Sequence, residues 1–297
     1  MPPSPPADGS EVTAALLRQW PLPKHDDGDG KRGRGQVLVI GGSRVTGGAV
    51  LLAATGALRA GAGKVQVVTT ATVAPPLMTA VPEALVVGLP ETDDGAIDAG
   101  HVGEVERHIA EADAVLVGTG ALDRDSTAEI LAHVLKLVGD DALVVIDAIA
   151  TQAIPGHEDA IRRLGGRAVA IPNDGEWTDL GFGEPAARIA PEARRLGATL
   201  TCRGDVTWLA GPAHGPFCHP RGGVGLATSG SGDVAAGVIA GLAARGADGL
   251  TAALWGVHVH AQAGRRLAAR VAEVGFLARE LLAEIPVELQ AASTATG

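Results

Sequence analysis

A chain of 297 residues, 46% of them hydrophobic, is long enough to bury one substantial core. It has no breaker-free apolar run of about 18 residues, so a membrane span is not expected. The formal net charge of −10 and the absence of tyrosine argue against a nucleic-acid binder.

Residues 1–10 are Pro-rich, lack the apolar core of a signal peptide, and read as a disordered N-terminus. Residues 11–20 have room for a short helix before the break at Pro21-Leu22-Pro23, and residues 25–35 form a charged, Gly-rich approach. Short apolar runs then alternate with Ala-rich helical patterns. A strand is expected at 37–40, a helix at 49–60 and strands at 65–68, 115–117, 143–146 and 168–171. Apolar runs this short, with few polar alternations, suit strands buried on both faces of a parallel sheet. Residues 199–202 and 206–209, split by Gly204-Asp205, read as closely spaced antiparallel pieces, and 251–269 as a long helix. The two cysteines, Cys202 and Cys218, are too few for a disulfide scaffold and point to a reducing cytoplasm. The expected organisation is one doubly wound α/β domain over residues 11–287, followed by a flexible tail at 288–297.

The most informative stretch is 222–233, a small-residue loop ending Thr228-Ser229-Gly230-Ser231-Gly232-Asp233. A helix pattern follows at once, with Val234, Gly237, Val238, Gly241 and Leu242 on one face and Gly246 as its stop. Such a loop leaves backbone N–H groups unshielded at the positive end of a helix, a binding place for phosphate oxygens. A carboxylate there is repelled by phosphate, so Asp233 needs another reason to be present. Accepting a proton from an attacking hydroxyl is one.

Several tempting motifs do not fit. Residues 37–48 run strand, Gly turn, helix start, but the next strand ends Thr69-Thr70 without the acid that holds a dinucleotide ribose. Gly63-Lys64 looks like the end of a P-loop, yet Leu58 stands where its first glycine belongs and Val65 where Ser or Thr binds magnesium. His258 and His260, two apart on a helix, do not share a face and read as one packed and one partly solvated histidine. Cys202 lacks the partners of a nucleophile. Asp147 ends a strand at the sheet's carboxyl edge, where either a functional or a capping role fits. Asn173-Asp174-Gly175-Glu176 reads as a turn and helix cap.

Gly41-Gly42-Ser43…Thr46-Gly47, Leu58-Arg59-Ala60-Gly61-Ala62-Gly63, Pro82-Glu83, the run 226–233, His260…Ala263-Gly264 and Gly275-Phe276-Leu277…Ile285-Pro286 occur in one order. That order resembles the ADP/ATP-dependent NAD(P)H-hydrate dehydratases, a branch of the ribokinase-like superfamily, over roughly residues 11–287. The resemblance implies a ribokinase-like fold. It implies phosphoryl transfer from ADP (ATP in some relatives), with Mg²⁺ on the nucleotide, to the hydroxyl of hydrated NADH or NADPH, followed by loss of phosphate. It also implies Asp233 as base, with nucleotide and phosphate contacts from Arg203, Gly204, Asp205, Val206, Thr207, Thr228, Ser229, Gly230, Ser231 and Gly232. Substrate contacts are implied for Thr46, Gly47, Gly48, Gly120, Asp147, Asn173 and Asp233, and no protein-borne metal site. A homo-oligomer and a separate epimerase acting on the same metabolite complete what it implies.

The chain departs from the family pattern on the acceptor side. Asn173 stands for a His, Ile149 for an Asp, Gly118-Thr119-Gly120 for Gly-Pro-Gly and Thr46-Gly47-Gly48 for Thr-Gly-Ala. Arg203 replaces a Lys in the nucleotide hairpin, keeping the charge but changing its geometry. Two other readings stay open at the level of sequence. One is a kinase of the same superfamily acting on another small alcohol, and the other is a non-catalytic nucleotide-binding relative.

Overall fold

The computed structural model describes residues 9–24, 30–31, 33–220 and 222–294, so residues 1–8 of the expected disordered N-terminus lie outside the described residues. The strands in chain order are β1 (Ser10–Glu11), β2 (Gln36–Ile40), β3 (Lys64–Thr70), β4 (Ala84–Leu89), β5 (Ala114–Val117), β6 (Leu143–Ile146), β7 (Ala168–Ala170), β8 (Thr199–Cys202), β9 (Val206–Ala210) and β10 (Phe217–Pro220). The helices are α1 (Ala14–Leu17), α2 (Gly47–Arg59), α3 (Ala74–Ala80), α4 (Glu106–Ala110), α5 (Arg124–Leu137), α6 (Glu158–Arg163), α7 (Asp174–Asp179), α8 (Pro185–Leu196), α9 (Ser231–Ala244), α10 (Gly249–Arg270) and α11 (Ala278–Thr294).

All ten strands join one sheet in the order β1-β10-β9-β8-β7-β6-β5-β2-β3-β4. From β4 across to β8 every pairing is parallel, and β9 and β10 then fold back antiparallel. Each central strand feeds both faces by simple alternation. Val37 and Val39 of β2 join the core under α2, α9, α10 and α11, whereas Leu38 and Ile40 join the core under α5 and α8. Residues 114, 116 and 115, 117 of β5 divide in the same way, which is why that run shows no polar face.

After β2 the chain winds outward to β3 and β4, then returns to place β5 on the other side of β2 and winds away through β8. The strand order therefore reverses between β2 and β5, where doubly wound sheets bind ligands at their carboxyl edge. At the chain ends the structure corrects two expectations. Ser10, expected within a disordered stretch, pairs with Phe217 as part of β1. Helix α11 runs on to Thr294 through the expected flexible tail, because Leu289 and Ala292 are buried in the core.

Candidate active site

Two loops leave the sheet side by side at the point of reversal, since Ile40 and Val117 are paired at the ends of β2 and β5. Gly42 N–H donates to the Thr119 carbonyl at 2.8 Å and ties the loops together. Helix α9 points its N-terminus at the same place. Gly230 precedes it at φ 88°, a left-handed conformation that glycine adopts without strain, and turns the loop straight into the helix. Asp233, in the first turn, meets the β5 loop, and the Thr119 hydroxyl donates a hydrogen bond to its Oδ1.

Burial raises the pKa of Asp233 above the ordinary carboxylate range, while the Thr119 hydroxyl and the Arg203 guanidinium oppose the rise. Asp147 follows β6, with its N–H donating to Val117 O at 2.9 Å and its side chain only 2% exposed. Burial pushes it to about 7. Arg203 opposes this, and the negative charges of Asp233 and Glu176 push the same way as burial. Arg203, in the turn between β8 and β9, serves both carboxylates. Its Nη2 lies 3.4 Å from Asp147 Oδ1 and its Nε donates to Ile171 O at 3.2 Å. A Cβ built on Gly232 would fall 2.4 Å from its Nη1, so the guanidinium rests against the first turn of α9. A cation parked at the positive end of a helix, flanked by two carboxylates, marks a place built to receive a further anion.

A cavity of about 190 Å³ opens beside this cluster. Arg203, Gly204 and Thr207 line it from the β8–β9 hairpin, and Thr228, Ser231 and Gly232 from the loop and helix. Leu226, Ala235, Ile239, Val257 and Ala261 give it an apolar wall suited to a flat ring. Four residues of the expected nucleotide set do not line it. Asp205 and Val206 border an outer cleft with Trp177 and Trp208 instead; Val206 does so because successive residues of a strand face opposite ways and Thr207 takes the cavity side, and Asp205 lies in the turn before β9. Ser229 is exposed on the loop, and Gly230 acts as the hinge before α9.

Three cavity or site residues were not among the site residues expected from sequence. Thr119 is fully buried and touches Asp233. His260 accepts or donates across 3.0 Å to the Ser231 hydroxyl, and burial lowers its pKa to about 4, so the ring is neutral. His219 also lines the cavity, is lowered to about 4 by burial, and lies 3.3 Å from His258 Nδ1. His258 and His260 thus have separate partners on separate faces, and among the described residues no three His, Cys, Asp or Glu side chains converge as a metal site. The buried Cys202 thiol has its pKa raised by burial and by Asp174, the opposite of what a nucleophile needs.

On the acceptor side, Thr46 Oγ1 donates to the Gly120 carbonyl at 2.5 Å and also hydrogen-bonds Ser43 Oγ, so Thr46 and Gly120 are held together. Gly47 and Gly48 form the first turn of α2. Asn173 is the N-cap of α7. Its side chain accepts from Glu176 N–H at 2.9 Å while the Glu176 carboxylate accepts from Asn173 N–H, also at 2.9 Å. The cap expected from Asn173-Asp174-Gly175-Glu176 is therefore present, and Asn173 also borders the cavity.

A family model described as NAD(P)H-hydrate dehydratase matches residues 37–287. A protein of Xanthomonas campestris pv. campestris described as an ADP-dependent (S)-NAD(P)H-hydrate dehydratase is 44% identical over 286 residues, spanning 93% of this chain and 94% of the relative. Among solved structures, a ribokinase-like superfamily protein of Enterococcus faecalis superposes with a TM-score of 0.81 at 24% identity, covering 96% of this chain and 97% of the other. The ADP/ATP-dependent NAD(P)H-hydrate dehydratase of Bacillus subtilis, co-crystallised with ATP/Mg²⁺, gives a TM-score of 0.75 at 24% identity, with coverage of 96% and 99%. The fold is thus ribokinase-like. The chain spans about half the length of the curated relatives described as bifunctional NAD(P)H-hydrate repair enzymes (53% of the one from Moorella thermoacetica).

Proposed function

Since the chain belongs to the NAD(P)H-hydrate dehydratase family, we propose that it catalyses the ADP-dependent dehydration of (S)-NAD(P)H-hydrate to NAD(P)H, a metabolite-repair reaction. The observation that carries this reading is Asp233, a half-buried carboxylate in the first turn of α9, bonded to Thr119 beside an apolar cavity. The ring hydroxyl of the hydrate attacks the terminal phosphoryl group of ADP. A new O–P bond forms, the bond to the AMP oxygen breaks, and Asp233 accepts the hydroxyl proton. Phosphate then leaves with the carbon–oxygen electron pair and an adjacent ring proton is lost, which restores the ring double bond.

A carboxylate whose affinity for a proton is raised by burial, as that of Asp233 is, suits a base working near neutrality. Charge on the transferred group is met by the N-terminal turn of α9 and by Arg203. Mg²⁺, when bound with the nucleotide, neutralises phosphate charge. It would be carried by the nucleotide's phosphate oxygens, in keeping with magnesium's preference for few protein ligands. The cavity's apolar wall receives the adenine ring, and Arg203, Gly204, Thr207, Thr228, Ser231 and Gly232 hold the ribose and phosphates. The acceptor is held by Thr46, Gly47, Gly48, Gly120, Asp147 and Asn173.

The unpaired thiols of Cys202 and Cys218 support a cytoplasmic location. No helix among the described residues is long and apolar enough to cross a membrane. The longer relatives described as bifunctional repair enzymes support a second, separate activity on the same metabolite; we extend the reading to an epimerase for that activity and to a homo-oligomer. Incubation with ADP, Mg²⁺ and the (S)-hydrate of NADH or NADPH, followed at the absorbance of the reduced nicotinamide, tests the proposal. Recovery of absorbance that depends on ADP is the expected result, and no recovery with intact nucleotide present would overturn it.

A further inference from the structure

We propose that Thr119 is a positioning residue for the reaction, holding the Asp233 carboxylate outward so that its Oδ2 faces the acceptor hydroxyl. The inference rests on the reading of Asp233 as the base. Thr119 is fully buried, and a buried hydroxyl needs a partner; its partner is Asp233 Oδ1, contributed by a residue 114 positions further along the chain. The main chain of Thr119 is fixed as well, because its carbonyl accepts Gly42 N–H at 2.8 Å. The donor therefore stands in the loop directly after β5, whose end is paired with that of β2, and its main chain is tied to the loop after β2.

The carboxylate has a competing conformation. An acid in the first turn of a helix can fold back onto the backbone N–H groups there. The Thr119 hydroxyl favours the other orientation. With Oδ1 occupied, Oδ2 turns toward Gly230, 4.0 Å from where a Cβ on that residue would lie, on the side where the helix end meets a phosphate. The hydroxyl also stabilises the ionised form of a carboxylate that burial destabilises. Arg203, from the β8–β9 turn, and Asp147, at the end of β6, are the charged groups facing Asp233, and both are unchanged by substitution at 119.

Thr119→Val keeps the shape and removes the donor, and Thr119→Ser keeps the donor. Turnover and ADP affinity measured across pH for the two variants and the wild type separate the possible outcomes. The valine variant is expected to lose about tenfold in kcat with little change in KM for ADP. The acid limb of its pH profile should move to higher pH, and serine should restore both. Calorimetric binding of ADP gives a readout free of turnover. The Asp233 carboxylate repels phosphate, so affinity rises as the group is protonated, and the midpoint of that rise should also move to higher pH in the valine variant. If Thr119→Val does not fold, Thr119→Ala carries the same expectations. An unmoved acid limb and binding midpoint, or a failure of serine to restore them, would overturn the inference. A wild type that binds ADP with the shifted midpoint in the variant, yet regenerates no reduced nicotinamide, would overturn the proposed function and leave the orienting bond standing.

Discussion

Gly237 lies one helical turn beyond Asp233 on the same face of α9, where α9 crosses α2. A Cβ at that position would sit 2.1 Å from the Ala53 carbonyl oxygen and 2.7 Å from its carbon. Both are backbone atoms that cannot rotate aside, so Gly237→Ala forces the two helices apart by roughly 1 Å. Alanine should gain about 1 kcal/mol of helix propensity over glycine, and overpacking against backbone costs about 3 kcal/mol. A net destabilisation of about 2 kcal/mol follows, read as a lower urea midpoint at unchanged m-value. The same displacement moves Asp233 relative to the loops after β2 and β5. A misplacement of this size at a reacting group costs on the order of a hundredfold in kcat. Equilibrium unfolding and steady-state turnover on one preparation check both parts. A variant as stable as wild type, or one destabilised but with normal kcat, would refute the idea that the α2–α9 contact sets the position of the base.

Arg203→Met removes the charge that serves both Asp147 and the helix end, and should lower kcat about a hundredfold while weakening ADP binding. Arg203→Lys, which keeps charge but not the two-pronged geometry, should recover part of that loss in the same assay. Stability should also depend on pH with two opposed contributions. Asp147, ordinarily near 3.8, is raised to about 7, so its stabilising contribution is fully present below its unfolded value and is lost as pH rises toward 7. Asp147→Asn should therefore be more stable than wild type above pH 7, with the difference closing toward pH 4, as measured by urea midpoints. His219 and His260, lowered from 6.5 to about 4, contribute stability present above 6.5 and lost as pH falls toward 4. His260→Gln should flatten the acid side of that curve.

Much of the architecture was legible because the central strands are short apolar runs between helical patterns. β6 and β8 span the residues expected of them, β2 and β5 each begin one residue early, and α2 begins two residues early and ends one early. What escaped depends on neighbours distant in the chain. β4 is an edge strand that contains Gly88 and turns Leu85 to solvent, β10 follows Pro216 and ends on Pro220, and the two residues of β1 are a strand only because they pair with β10. The tail expected from residue 288 onward is instead the end of α11, which passes through Pro286 because packing of Leu289 and Ala292 outweighs one lost backbone bond. At the site, the loop into Asp233 was legible because loop and helix are contiguous. The Thr119–Asp233 bond was not, since it exists only once β5 is beside β2. The hairpin run from Arg203 to Thr207 reads as one continuous strip in sequence, whereas strand geometry sends Thr207 to the cavity and Val206 to the opposite face.

The account centres on Asp233 as the base of an ADP-dependent dehydration. The most direct test compares wild type with Asp233→Asn in two measurements on the same samples, ADP binding by calorimetry and recovery of reduced-nicotinamide absorbance from the (S)-hydrate. The account predicts that the asparagine variant binds ADP at least as tightly as wild type, because a charge that repels phosphate is gone, and regenerates essentially no reduced nicotinamide. A variant that still turns over at a rate near wild type would contradict it.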